Sequence, residues 1–313
     1  MNLVKVLAYL FLTLLVSSCA RFSDDMDPEK NVLPGGMSWR LYLSKKDSLS
    51  QGMSIWNNSV FVAHDGGLCD VYDYTSKQYL GSFGLASSRD NSHCNCINFG
   101  LFASDDSPYP LLYVSNGVIG AEGEWRCNVE AISVDGSAFS SELVQTITLD
   151  SSDFSNYGYH QPWGCPQWLV DSQRSHLWVW SADLRTIPSV TGFFINNCYH
   201  ATCFRIPELS EGENIILTAS DVQKQVSFEF DAYATQGGCM YDGIIYYSFG
   251  FGYQPTSSKI RAYNTDSGKV CLRLDLNGVA DYELEDLALY DGKLFVNTNT
   301  KNIYAISNYT LKL

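Results

Sequence analysis

The sequence predicts an all-β chain folded as a β-propeller of five four-stranded blades closed by an N-terminal strand, and three observations predict it. The first is a repeated hairpin: Tyr241-Asp242-Gly243-Ile244-Ile245-Tyr246 returns 49 residues later as Tyr290-Asp291-Gly292-Lys293-Leu294-Phe295. Asp-Gly between apolar or β-branched runs is the strongest short-range hairpin signal. The second is a third strand with a common ending after each hairpin, at Cys69 to Lys77, Ile260 to Lys269 and Asn302 to Ser307. The third is composition, with 20 Tyr and 16 Phe and no long helical period. A four-stranded unit of about 45 residues or more, repeated along a chain, is the sequence sign of a propeller.

Taken in order, residues 1–19 precede the fold. Lys5 stands before an apolar run from Val6 to Val16, and Ser17-Ser18-Cys19 follows. That is the order of a secretory signal, and the run is too short to span a bilayer. Residues 20–37 read as a flexible acidic tether and 38–313 as a single propeller domain. The first blade takes Asn57 to Val62 as its hairpin, then Cys69 to Lys77, then Tyr79 to Phe83. The second takes Ile97 to Gly100, Leu111 to Val114, Asn128 to Ile132 and Val144 to Leu149. The third takes Gln167 to Asp171, Leu177 to Trp180, Ala201 to Ile206 and Ile215 to Thr218. The fourth runs from the Asp242-Gly243 hairpin to Leu276, and the fifth from Asp286 to Ser307.

The fifth unit lacks its outer strand, and Trp39-Arg40-Leu41-Tyr42-Leu43 supplies it, which removes an open sheet edge. First strands then begin near 53, 97, 167, 239 and 286. The long gaps around 167 leave six or seven blades as the alternative count. The Pro, Gly, Asn and Ser content of 150–165 and 184–200 assigns that length to loops.

Charge and cysteines bound the function. A formal charge of −14 without a basic cluster repels phosphate backbones, so no nucleic-acid role is expected. Of ten cysteines, Cys69, Cys239 and Cys271 lie in apolar runs as small buried hydrophobes. Cys94, Cys96, Cys165, Cys198 and Cys203 lie in loop-like stretches where pairing or metal binding is open. The C-x-C of His93-Cys94-Asn95-Cys96 has no second pair, so no metal and no cofactor is expected.

In a propeller the starts of the innermost strands meet at a central funnel, together with the turns between second and third strands. Those starts deliver Gln51, then His93, Asn95 and Asn98, then His160, Gln161 and Trp163, then Gln236, and finally Glu283, Glu285 and Asp286. The loop from Asn156 to Gly164 sets Tyr157, Tyr159 and Trp163 beside His160 and Gln161, flat faces next to neutral hydrogen-bonding groups, a chemistry that suits sugar rings. The bland alternative is that these aromatics pack the loop onto the blades. The expected ligand-binding set is Gln51, His93, Asn98, Tyr159, His160, Gln161, Trp163, Gln236 and Glu285, with no catalytic residue. Glycosidic hydrolysis needs two carboxyls about 5 to 10 Å apart. Only the last blade brings acids to the funnel in this register, whereas Asp65 and Asp231 stand away from first-strand starts. His93 with Cys94 or Cys96 is the remaining nucleophile reading. The expected function is non-catalytic binding of a glycan or protein ligand by a monomer. A funnel hydrolase or lactonase using the acids of the last blade is the alternative.

Val16-Ser17-Ser18-Cys19 resembles the bacterial lipobox, and Ser23-Asp24-Asp25-Met26-Asp27 is similar to the acidic export signal of Bacteroidetes-type surface lipoproteins. "HCNCINFG" followed by "YPLLYVSNG" resembles the repeat units of β-propeller lipoproteins from gut-type Bacteroidetes. The resemblance implies acylation of Cys19 as the sole membrane attachment. It also implies an outer-membrane location, at the surface or facing the periplasm. It transfers no catalytic residue.

Overall fold

The structure, a computed structural model, describes residues 36–88, 92–102, 107–118, 125–162, 166–183, 198–229, 231–232 and 234–312. These residues form five sheets that follow one another along the chain, so the count is five blades. Strand β1 (Ser38–Ser44) comes first and belongs to the last blade. Blade 1 holds β2 (Ser50–Trp56), β3 (Ser59–His64), β4 (Leu68–Asp73) and β5 (Tyr79–Gly84). Blade 2 holds β6 (Ser92–Phe99), β7 (Leu112–Val118), β8 (Trp125–Asp135) and β9 (Ala138–Leu149). Blade 3 opens with β10 (Gln167–Asp171), β11 (His176–Asp183) and β12 (Cys198–Arg205). Beyond these lie β13 (Asn214–Leu217) and β14 (Lys224–Glu229). Blade 4 holds β15 (Thr235–Tyr241), β16 (Ile244–Phe249), β17 (Lys259–Asn264) and β18 (Lys269–Asp275). Blade 5 holds β19 (Leu284–Tyr290), β20 (Lys293–Thr298) and β21 (Asn302–Ser307), closed on its outside by β1.

The two Asp-Gly hairpins form as expected. Tyr241 faces Ile244 and Tyr290 faces Lys293 across two-residue loops. All four loop residues have positive φ, namely Asp242 at 45°, Gly243 at 77°, Asp291 at 50° and Gly292 at 68°. This sense of turn matches the twist of the flanking strands, and Asp and Gly adopt it at least cost. Closure also forms as expected, with Trp39 opposite Ile306 and Leu43 opposite Ile303.

One strand differs from expectation. Residues 214–217 do not form the outer strand of blade 3. β13 runs parallel to β9 and extends blade 2 to five strands, and β14 takes the outer place in blade 3. A short turn at Ala219–Asp221, capped by Thr218 and Asp221, redirects the chain between the two. Packing accounts for the exchange. Leu217 buries among the residues between blades 2 and 3, and Phe228 among those between blades 3 and 4.

The core is divided among the five interfaces between neighbouring blades. Phe61 and Val71 meet Ile97 and Val114, Tyr113 and Val129 meet Trp168 and Val179, and Trp180 meets Tyr247 and Tyr263. Tyr246 and Ile260 meet Leu287 and Ile306, and Val60 and Val62 meet Phe295 and Ile303, which completes the ring. Each such buried side chain contributes about 1.5–3 kcal/mol.

Four of the five innermost strands share an irregularity at their start. The ladder slips between Ser50 and Met53, His93 and Cys96, Thr235 and Gly238, and Leu284 and Leu287. A bulge of this kind bends the strand and re-aims its side chains. It makes Gln51, Cys94, Gln236 and Glu285 equivalent positions, and likewise Gly52, Asn95, Gly237 and Asp286.

Candidate functional site

The first and third strands of a blade start where its second strand ends, so first-strand starts share a rim with the second-to-third turns. The linker from β1 to β2 reaches the same rim. Three polar pairs are built there from separate elements. His93, at the start of β6, donates from Nδ1 to Oδ1 of Asp65 at 2.7 Å, Asp65 lying in the β3–β4 turn of blade 1. Gln236, from blade 4, donates from Nε2 to Oε1 of Glu283 at 2.7 Å, and Asn299, from the β20–β21 turn, donates to Oε2 at 3.3 Å. His64 Nε2 donates to Oδ2 of Asp70 at 3.1 Å.

Glu285 is 5% exposed, and no donor among the described residues bonds its carboxyl. Burial first, and then the charge of Glu283, lifts it well above the usual carboxylate range, against the pull of Lys45. Burial likewise lifts Glu283, against its amide donors and His93. Lys45 is 4% exposed and donates to Ser50 Oγ, to Asn297 Oδ1 at 2.7 Å and to the Thr298 carbonyl at 2.6 Å. Burial lowers its ammonium to about 7, although Glu285 and Asp70 oppose the change.

Lys45 therefore yields a prediction with a definite sign. Its folded pKa lies below the ordinary 10.5, so between those values the unfolded chain holds the proton more firmly and stability rises with pH. Below pH 7 the full cost of burying the charge is felt. Relative to Lys45→Met, the wild type should gain about 2–3 kcal/mol between pH 6 and pH 9, measured by urea unfolding of both proteins. A difference that stays flat over this interval would mean that Lys45 keeps its ordinary pKa.

Those of the expected site residues that the structure describes divide into three groups. His93, Gln236 and Glu285 gather at the rim, as does Gln51, which is half-buried and whose carbonyl accepts Asn297 Nδ2 at 2.6 Å. Asn98 lies elsewhere. Because β6 begins at Ser92, Asn98 is its penultimate residue and lines a cavity of about 170 Å³ with Trp56, Val170 and Tyr290, at the far ends of the inner strands. Tyr159, His160 and Gln161 sit against blades 2 and 3. Tyr159 packs on Phe154, and the His160 ring stacks on His200 of β12 at 3.9 Å. The His160 amide donates to Gln225 of β14 at 2.8 Å, and Gln161 donates to the Ser151 carbonyl at 3.1 Å. Trp163 and Cys19 lie outside the described residues.

The pairing of His93 with a thiol is overturned. Cys94 and Cys96 are buried, with burial raising Cys94 to about 12 and Cys96 well above its ordinary value, and His93 is engaged by Asp65. Among the described residues no group of three or more His, Cys, Asp or Glu is placed to hold a metal ion. Asp231 is held away from the rim by Arg261 at 2.8 Å and Arg273 at 3.0 Å. Sequence reasoning missed Lys45 and Asn299 and gave Asp65 no place at the rim. Lys45-Lys46-Asp47 reads as a solvated linker, and nothing local marks Lys45 for burial.

No protein-family profile matches the chain, and no curated protein matches it. Among solved structures it is similar to a glutaminyl cyclase of Myxococcus xanthus, with 13% identity over 86% of this chain and 95% of that one, at a TM-score of 0.49. It is similar also to hydrazine synthase of Kuenenia stuttgartiensis, with 11% identity over 79% of this chain and 61% of that one, at a TM-score of 0.37.

Proposed function

We propose that this propeller is an exported, lipid-anchored protein that binds a glycan or protein ligand at its funnel face without transforming it. Glu285 carries the reading. It is a nine-tenths buried carboxyl with no donor among the described residues, at the first-strand position equivalent to Gln51, Cys94 and Gln236 of blades 1, 2 and 4. Its oxygens are not sealed from solvent, so a ligand entering the funnel can reach them and supply the hydrogen bond that no donor among the described residues makes. Glu283 and Asp65, whose charges also act on it, already accept from Gln236, Asn299 and His93. Their role is thus to hold the rim in one arrangement.

A second reading, a funnel hydrolase or lactonase, draws on the same acids. Glu285 beside Glu283 is a carboxyl with raised proton affinity next to a second one, as in acid–base pairs. Glycan and peptide arrays would find the ligand, and incubation with it would show whether it is returned unchanged. His93→Ala and Gln236→Ala should each weaken binding about tenfold, roughly one charge-assisted hydrogen bond, with little change in melting temperature. Undiminished binding in both variants would remove the funnel face from consideration, and cleavage of the ligand would select the second reading.

The anchor is proposed on the lipobox resemblance. Among the described residues no helix is long and apolar enough to cross a membrane. Cys19→Ser should move the protein from the detergent to the aqueous phase in a cloud-point partition, and retention in detergent would end the proposal.

A further inference from the structure

Among the described residues around the funnel mouth, almost every charged group already has its complement. Glu283 accepts two amide donors, Asp65 accepts His93 and Asp70 accepts His64. Asp286, deeper on the axis, accepts the backbone amides of Met53 at 2.7 Å, Leu287 at 2.8 Å and Ile97 at 3.4 Å. Lys45 spends its ammonium protons on Ser50, Asn297 and Thr298. Among the described residues Glu285 is the exception, buried and undonated, with Glu283, Asp65 and Asp286 as negative neighbours and Lys45 as a positive one.

We propose that the funnel face receives the primary ammonium group of its ligand, seated on Glu285. The inference rests on the binding reading above and adds the chemistry of the group that binds. A hydroxyl would supply a hydrogen bond but would not offset the negative charge that the carboxyl carries once its proton has left. An ammonium does both, through a charge-assisted bond. A bare divalent cation fits less well. It needs several free oxygen ligands, whereas the Glu283 oxygens and Asp65 Oδ1 already accept donors, and no metal-holding group occurs among the described residues. The net charge of −14 draws cations toward the protein as a whole.

The neighbours also fix the pH dependence. Burial and Glu283 raise the proton affinity of Glu285, with Asp65 and Asp286 acting in the same direction and Lys45 against them. His93 acts on Glu283, and Asp70 on Lys45. An arriving ammonium must displace the Glu285 proton, so binding tightens as pH rises. Loss of the Lys45 proton over the same range removes a competing positive charge, which works in the same sense.

The experiment is calorimetric titration of the whole protein with two matched pairs of probes. One pair is 6-amino-6-deoxyglucose and its N-acetyl derivative. The other is Nα-acetyl-lysine amide and its Nε-acetyl derivative. At least one amine should bind ten or more times tighter than its acetylated partner, and should do so more tightly at pH 7.5 than at pH 5.5. Preference in the sugar arm alone marks a glycan amine, and preference in the lysine arm alone a protein amine. Glu285→Gln should abolish the preference. If that variant does not fold, the pH series on the wild type decides alone, and a pH-independent affinity would overturn the proposal. Equal binding of amine and acetylated partner overturns the ammonium assignment and leaves funnel binding standing. No binding of either amine at millimolar concentration overturns the assignment too, and the arrays then judge the broader reading.

Discussion

Asp286→Ala is expected to destabilise the propeller by about 4 kcal/mol, a large share of the about 5–15 kcal/mol that holds a typical domain folded. Asp286 is fully buried on the axis. Its Oδ2 accepts the amides of Met53 and Ile97, in blades 1 and 2, and its Oδ1 accepts the amide of Leu287 in its own strand. Blade 4 closes on the same carboxyl through Gly237, where a Cβ would stand 2.5 Å from Asp286 Oδ1 and 2.7 Å from the carbonyls of Asn95 and Glu285. One side chain thus bridges four blades. Burial pushes its pKa well above the usual carboxylate range, so holding an acid there has a cost that its removal would recover. The loss should win nevertheless. Removing an acceptor is nearly neutral only when its donors go too, and backbone amides cannot go. Each stranded amide costs about 1–3 kcal/mol, less than additively because the three share one cavity. Asp286→Asn keeps one acceptor oxygen and should fall between. Urea unfolding of the three proteins tests this, and an Ala variant within 1 kcal/mol of wild type would mean that water replaces the carboxyl.

The two Asp-Gly turns, the third strands and the closing strand were all legible, because each rests on a local rule that context rarely overrides. A two-residue hairpin demands positive φ, and Asp and Gly meet that demand. Choices between partners were not legible. Asn214–Leu217 reads as a strand, but its residues do not say which of two open sheet edges it joins. The long β9 and the site for Leu217 between blades 2 and 3 decide that. The rim was partly legible for the same reason. Gln51, Gln236 and Glu285 were found by counting to first-strand starts, and the bulges place them at one equivalent position. Glu285 and its neighbour Asp286, similar in the sequence, both lie in the bulge between Leu284 and Leu287 yet take different roles. Asn98 was misjudged because β6 begins five residues before the apolar run that announces it. Lys45 was invisible, since its burial follows from where ring closure leaves the linker.

Closure gives the second large effect. Trp39→Ala should cost about 3–5 kcal/mol, the range for emptying a buried Trp site. Trp39 is 1% exposed, stacks on Tyr304 at 4.9 Å, and packs with Ile306, Leu276 and Tyr282 between the last two blades. Its strand does not bury every second residue, since a bulge interrupts it between Leu41 and Leu43, so the same segment supplies its own control. Leu41, two residues on, is 49% exposed, and Leu41→Ala should change stability by less than about 0.5 kcal/mol. The contrast separates side-chain burial from pairing of the strand, because both variants keep the six backbone partners of β1 along β21. Deleting residues 38–47 removes both terms. It empties the Trp39 and Leu43 sites, bares the edge of β21, and withdraws Lys45 from Ser50, Asn297 and Thr298. The deletion should therefore exceed Trp39→Ala in cost and make the protein aggregation-prone through the unpaired edge. Equal melting temperatures for Trp39→Ala and Leu41→Ala would place the closing strand outside the cooperative unit. The ring would then be held by the four interfaces between consecutive blades, with the join between the last and first blades contributing little.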